Sequence, residues 1–493
     1  MSRLAALAIA LVISSPAMGQ TQQFRMDLSA PILFTDPDTP DNSEQDHPFL
    51  SLRPEALPNG TVGQPWEFDF STLTTASSGL TNLQWSTRAE GLNAVPPGLT
   101  MESSNGVLAG TPLLSGEYSF EVVVDADEVV PADAIYTILV DGSEFRATKV
   151  AVGNGHMCAI SVDGELYCWG GNSNGTIGDG TTTNRSSPVH IDIPGTVRDI
   201  AVSAWHSCAV TTTDQAYCWG NNSNGRLGLG TKINHYTPQL LPISGIKQLS
   251  VSTYTGCALL NSGGVRCWGN NGPSGRLGNN STTESLAPVT PNGLNSGVIS
   301  LSVGEFHACA LLESGGLSCW GSNSRSQLGV AGITSSPVPI PVFSSGVKKV
   351  LVGDFHTCVI TTSNAMRCVG GNNYSQSNGV NTTDPVESWT TVPGGSSGVD
   401  DMAVGGNTNC MLRAGVLSCW GRNNSGQTGR GNTENPVPPM EILSNVLAVN
   451  ANANLNICAI MENGVLQCWG GNSSGQLSNG TTTPSYSPTP VFQ

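Results

Sequence analysis

Charge is what this sequence has least of. Asp, Glu, Lys and Arg make up 11% of its 493 residues. No segment sets apolar residues at helical spacing between two caps, so long charge-faced helices are excluded as the main architecture. Beyond the N-terminal segment no apolar run is long enough to span a bilayer. No cysteine precedes residue 158 and none follows residue 468. The 20 Lys and Arg form no basic stripe or tail, which argues against nucleic acid as a partner. Catalytic patterns are missing too. There is no nucleophile elbow, no glycine loop leading into a helix to cradle phosphate, and no carboxylate pair distinct from the repeat background. Nothing calls for a cofactor, and the sequence reads as that of a non-enzyme.

Glycine, by contrast, is abundant at 59 residues, a composition of tight turns and short strands. Residues 1–19 have the layout of a secretory signal peptide. Arg3 precedes the short apolar run LAALAIALVI (4–13), and Ala17 and Gly19 stand at small-residue spacing before Gln20. No cysteine follows to carry a lipid anchor. The mature chain is therefore expected in the periplasm, on the cell surface or outside the cell. Such a compartment permits disulfides, and the cysteine count, 14, is even. The acidity lies in front: 20–145 hold 19 Asp and Glu against Arg25, Arg53 and Arg88, whereas 146–493 hold 17 acidic and 16 basic residues.

Residues 20–47 read as an acidic, Pro-rich linker. Asp36, Asp38 and Asp41 lack the glycine turn and distal glutamate of a calcium loop. Over 48–142 the pattern turns to period two. WEFDF (66–70), LQWST (83–87), GVLAG (106–110), YSFEVVVDA (118–126) and YTILV (136–140) are strand candidates separated by Pro and Gly clusters. This spacing fits a β-sandwich. The run PPGLTMESSNGVLAGTPLLSGEYSFEVVV (96–124) resembles the immunoglobulin-like domain found in many bacterial surface proteins. Asp125, Asp127 and Glu128 read as an acidic turn, with a cadherin-like calcium site as the alternative.

Residues 146–493 repeat. The first cysteine of each copy stands at 158, 208, 257, 309, 358, 410 and 458, at intervals of 48 to 52. Several strands per copy and a period near fifty point to a β-propeller with one blade per copy, seven in all. The cysteine spacing has a register explanation. With Cys158 opposite Cys168, Ala159 faces Tyr167 and Ile160 faces Leu166. Val162-Asp163-Gly164 is then a three-residue loop with glycine where positive φ is needed. Cys410 and Cys419 are one residue closer, and the same pairing leaves the two-residue loop Ala414-Gly415. The register therefore predicts cross-strand disulfides Cys158–Cys168, Cys208–Cys218, Cys257–Cys267, Cys309–Cys319, Cys358–Cys368, Cys410–Cys419 and Cys458–Cys468. Zinc is the competing use of cysteine beside histidine. The spacing is not that of a zinc knuckle, and His156, His206, His307 and His356 become Thr255, Thr408 and Asn456 in the other copies. The histidines are expected to hydrogen-bond within their own blades.

The stretches VGEFHACALLESGGLSCWGSNSRSQLG (303–329) and CWGNNSNGRLGLGT (218–231) resemble the repeats of the regulator of chromosome condensation family, over about 70% of the chain. The resemblance implies a seven-bladed propeller. Copy five departs from it, with Val369 in place of Trp and no Gln-Leu-Gly. The family commonly closes its ring by sharing strands between the termini. Here SPTPVF (487–492) is the natural closing strand.

Function is expected where the copies differ. The position three before the first cysteine reads Gly155, Trp205, Tyr254, Phe306, Phe355, Asn407 and Leu455. Trp205, Tyr254, Phe306 and Phe355 would form an arc on one propeller face, with Glu305 and Asp354 beside two of them. They either anchor an interface or pack down between blades. The six Trp of the Cys-Trp-Gly motifs read as structural. The main expectation is an exported binding scaffold with a protein partner, of which enzyme inhibition or a surface interaction are concrete forms. Guanine-nucleotide exchange is the alternative by family resemblance. A carbohydrate-binding surface module is the other, with glycan as ligand.

Overall fold

The fold is that of a computed structural model. It describes residues 48–492 apart from 62–64, 79, 89–94, 111, 113–115, 128, 142–143, 381, 435–436, 452–454 and 480. The signal-peptide and linker readings, including Asp36, Asp38 and Asp41, lie outside the described residues, as does Glu128.

All five front segments read as strands are strands, within a few residues at each end. Gly60–Thr61, Ala132–Asp141, Gly116–Asp125 and Gln84–Arg88 form one sheet in that order. Trp66–Asp69, Val107–Gly110 and Leu99–Glu102 form a second. Their inner faces meet in a core of Trp66, Phe70, Trp85, Leu108, Phe120, Tyr136 and Ile138, the arrangement of an immunoglobulin-like sandwich. Among the described residues the one departure from strand and loop is a single 3-10 turn, Phe70–Leu73, whose Ser71 N–H is accepted by the Asp69 carboxylate at 2.9 Å. Asp127 stands exposed in the turn after Gly116–Asp125.

Seven four-stranded antiparallel sheets follow among the described residues: 147–190, 197–240, 246–289, 298–343, 347–391, 401–443 and 446–490. We number them blades 1 to 7. In blade 1 the strands are Ala147–Val152, His156–Ser161, Leu166–Gly170 and Arg185–His190. First strands of all seven blades line a common axial channel. The cysteine register is the one expected: Cys158 pairs Cys168, Ala159 pairs Tyr167 and Ile160 pairs Leu166. Gly164 turns the hairpin at φ +85°. In blade 6 Arg413 pairs Val416, which leaves Ala414 and Gly415 as the turn, at φ +47° and +77°. All seven cysteine pairs are bonded, each with 4.1 Å between Cα atoms.

The apolar cores lie between blades rather than within them. Residues of blades 1 and 2 share one cluster, which includes Ile160, Leu166, Ile200 and Trp219. Blade 7 shares another with blade 1, including Ile460, Leu466, Met157 and Trp169. A sheet of four short strands cannot bury both faces alone, so each blade is completed by its neighbours. Two devices fix the seams. The indole N–H of each Cys-Trp-Gly tryptophan donates to a backbone carbonyl of the preceding blade at 2.8–3.1 Å, as Trp219 does to Thr176 and Trp169 to Gln476. In the channel, Lys149 pairs with Asp199 and Lys349 with Asp401, while Gln248 bonds both backbone groups of Leu301. Within each blade the loop after Cys-Trp-Gly is folded by a buried Asn. Asn172 Oδ1, for example, accepts from Ile177 N at 2.9 Å while its Nδ2 reaches the far side of the loop.

The ring closes without a shared strand. All four strands of blade 7 come from 446–490, and Ser485–Pro490 is its outer strand. Closure falls instead to the segment entering blade 1. Phe145 N donates to Val491 O, Leu466 N to Phe145 O and Ala147 N to Gly464 O, at 2.8–2.9 Å.

Candidate functional site

In blades 1 to 5 the turn between the first and second strands lies at one end of the channel. In blades 2 to 5 this turn carries the four aromatic residues. Trp205 is 39% exposed, and Tyr254, Phe306 and Phe355 are half-buried. The rings meet in pairs. Trp205 and Tyr254 are edge to face with centroids 6.2 Å apart, and Phe306 and Phe355 stack at 4.6 Å. The rings thus pack on one another in pairs, and Trp205 remains exposed.

Two arginines join the pairs. Arg226 lies 4.8 Å from the Trp205 ring and 5.9 Å from that of Tyr254. Arg276 lies 5.1 Å from Tyr254 and 5.2 Å from Phe306. Arg226 is fully buried, with Nη1 donating to Thr253 O at 2.8 Å and Nη2 to Ser223 Oγ at 3.0 Å. Burial lowers its pKa to about 10, and lowers that of Arg276. Ring faces offset the burial of Arg226, and ring faces together with the Glu305 charge offset that of Arg276. Sequence reasoning missed these residues. The available signal was Gly-Arg-Leu-Gly at 225–228 and 275–278, where copies four to seven have Gln and copy one Thr.

Glu305 and Asp354 line a recess where the first strands of blades 1 to 5 end, together with Gly153, Ser203, Ser252 and Gly353. Burial, and then the neighbouring Asp354 charge, raise Glu305 to about 7, with Arg276 opposing.

The histidines correct the sequence reading. Three of the four reach across a seam: His156 Nε2 bonds Ser207 Oγ (2.8 Å), His307 bonds Thr357 Oγ1 (2.7 Å) and His356 bonds Asn409 Oδ1 (2.8 Å). Only His206 stays in its own blade, through Nδ1 to Ser203 Oγ at 2.7 Å. The reason is position: each histidine begins a second strand, whose face packs on the next blade. Burial lowers all four, to about 3 for His156 and His307 and about 4 for His356. Every cysteine is in a disulfide. Among the described residues no group of three or more His, Cys, Asp or Glu is placed to hold a metal, and no helix is long and apolar enough to cross a membrane.

These features define a class: a propeller of disulfide-stapled blades behind an immunoglobulin-like sandwich. More particularly, the chain carries regulator of chromosome condensation (RCC1) repeats. One form of that repeat matches 163–210, 213–259 and 314–360, and a second matches 147–176, 197–226, 246–275, 298–327 and 347–376. The family described as "Putative Ig domain" matches 48–141. Among solved structures, yeast RCC1 (Prp20) bound to Kap60 is 20% identical, with a TM-score of 0.61 over 71% of this chain and 86% of that one. Prp20p from Saccharomyces cerevisiae, described with its binding to Gsp1p and histones, gives 20% and 0.61 over 71% and 88%. Human WBSCR16 gives 19% and 0.57 over 65% and 87%. At these identities the likeness is one of fold. No curated protein sequence matches the chain.

Proposed function

We propose that the protein is an exported, non-catalytic binding scaffold that engages a protein partner through one propeller face. The observation that carries this reading is the arc of Trp205, Tyr254, Phe306 and Phe355. Four large rings from four successive blades are held in two contacting pairs bridged by arginines, Trp205 exposed and the others half-buried, and residues adjacent to them line a recess. Aromatic side chains pre-set on a rigid support are the usual anchors of protein interfaces, because little entropy is lost when they bind. Export is supported by the signal-peptide layout of 1–19 and by seven disulfides, which persist in oxidising compartments. Inhibition of an enzyme outside the cytoplasm, or a surface interaction, is the concrete form this takes. The acidic immunoglobulin-like module serves as the stalk.

The test is a pull-down from the envelope and medium of the source organism. The baits are the oxidised chain and a Trp205→Ala/Phe306→Ala variant with the same unfolding midpoint. The reading expects a protein captured by the wild type and lost by the variant. Equal capture by both would move the site elsewhere on the ring.

A further inference from the structure

The face alternates ring and cation, and the alternation breaks at one step. Trp205, Arg226, Tyr254, Arg276 and Phe306 follow one another. Each guanidinium comes from the Gly-x-Leu-Gly turn of one blade and lies between the rings of that blade and the next. In blade 4 the same position is Gln327, fully buried, and its Nε2 has no partner. In blade 5 the equivalent nitrogen, on Gln376, donates to Asn407 Oδ1 at 3.1 Å. The residue equivalent to Asn407 on the next blade is here Phe355, whose ring offers no such acceptor. Phe306 and Phe355 therefore stack directly, with no cation between them. At the same step Glu305 and Asp354 line the recess, whose lining holds no other ionisable residue.

We propose that this step is a subsite for a cationic side chain, lysine or arginine, carried on a loop of the partner protein. Its aliphatic stem lies along Phe306 and Phe355, and its head group enters the recess beside Glu305 and Asp354. The partner thus supplies a cation beside the one step of the arc that has none of its own between the rings. This rests on the protein-binding reading and adds the chemistry of the group recognised.

Three features favour it. Two carboxylates side by side repel each other, and burial together with Asp354 disfavours ionised Glu305 by more than the Arg276 charge favours it. A cation entering the recess relieves both effects. The half-buried setting strengthens the attraction over that of a fully exposed pair. The rings beside it cover the methylene groups of the stem while the charged head reaches the recess. A partner presenting Asp or Glu here would meet like charge and be rejected.

The test pans displayed random peptides on the oxidised full chain, on Glu305→Gln/Asp354→Asn and on Trp205→Ala. The expected result is that the wild type enriches peptides with Lys or Arg next to an apolar residue. A synthetic copy of such a peptide should bind the double variant about tenfold or more weakly. Enriched peptides that need Trp205 but carry no basic residue, and bind the double variant equally, would overturn the cationic subsite and leave the aromatic face standing. No enrichment on the wild type overturns both. Near-UV circular dichroism separates loss of charge from loss of fold. If the double variant does not fold, Glu305→Gln alone and the salt dependence of wild-type binding decide, since an uncharged contact would be insensitive to salt.

Discussion

Trp389 packs against Gly329 so closely that a Cβ on that glycine would come within 2.4 Å of the indole Nε1. At other seams the equivalent glycine meets the Cys-Trp-Gly tryptophan of the next blade, as Gly178 meets Trp219 and Gly278 meets Trp320. Blade 5 has Val369 at that place, and an indole from its outer strand, Val386–Thr391, fills the space instead. The carbonyl that an indole N–H satisfies elsewhere, here Gln327 O, accepts from Thr357 Oγ1 at 2.7 Å. Blade 5 has exchanged one tryptophan for another.

Trp389 is therefore expected to matter far more than an outer-strand residue normally would. Trp389→Ala should cost about 2–4 kcal/mol, as for a large side chain removed from a packed site. Val369→Trp alone should also destabilise, because Trp389 already occupies the space. Val369→Trp combined with Trp389→Ala should recover part of both losses. Urea unfolding of the three variants checks this, and strictly additive losses would show that the two positions do not share one space.

The disulfides are predicted to resist reduction in the native state. All 14 cysteines are at most 1% exposed. A thiolate can attack only after a blade opens, so labelling of new thiols in reductant should follow the rate of global unfolding. Replacing Cys410 and Cys419 by alanine should cost no more than about 3 kcal/mol, the loop-entropy ceiling for so short a loop. Thiol labelling much faster than unfolding would mean that blades open singly.

Much of this was legible in the sequence because it repeats. One register accounts for both the ten-residue spacing of Cys158 and Cys168 and the nine-residue spacing of Cys410 and Cys419. Turn position alone brought Trp205, Tyr254, Phe306 and Phe355 to one end of the ring. What was not legible depends on contacts between copies. A histidine that starts a strand shows its residue type, not that its Nε2 will cross to Ser207 or Thr357. Arg226 and Arg276 sit in a turn that elsewhere carries glutamine, and only the assembled face shows them lying against the rings. The role of Trp389 was hidden because it compensates for a residue 20 positions earlier, on a different strand of the same sheet.

Acid should weaken the ring through the seam histidines. His156, His307 and His356 are held well below the ordinary value of 6.5, at about 3 to 4. The unfolded chain takes up a proton at each below about pH 6.5, and the native chain does not until far lower. Their contribution is thus complete above pH 6.5 and falls as pH drops towards 4, at up to roughly 1.4 kcal/mol per pH unit for each histidine. Glu305, raised to about 7, acts in the opposite sense and offsets about one histidine over part of this range. Urea midpoints from pH 7 to pH 4.5 should fall steadily, and His307→Gln should reduce the slope by about one proton. An unchanged slope in that variant would remove His307 from the account.

The last prediction concerns closure. A propeller whose first and last blades come apart loses an entire seam, so whatever holds that seam carries more than its share of stability. Here the holder is Phe145, two residues before blade 1. It is 1% exposed and lies edge to face with Tyr167 at 5.4 Å and tilted against Trp169 at 5.8 Å. Its backbone bonds join Val491 and Leu466. Phe145→Ala should cost about 3–5 kcal/mol, and deletion of 487–492 should cost more. That deletion removes Val491 from the core and takes most of the outer strand of blade 7 with it. Both changes act on one seam, so combining them should add little beyond the deletion. Calorimetry of the two single variants and the combination decides this. Additive losses would place the work of closure elsewhere, for which the seam also offers Val152 N donating to Asn450 Oδ1 at 3.0 Å and the Trp169 indole donating to Gln476 O at 2.8 Å.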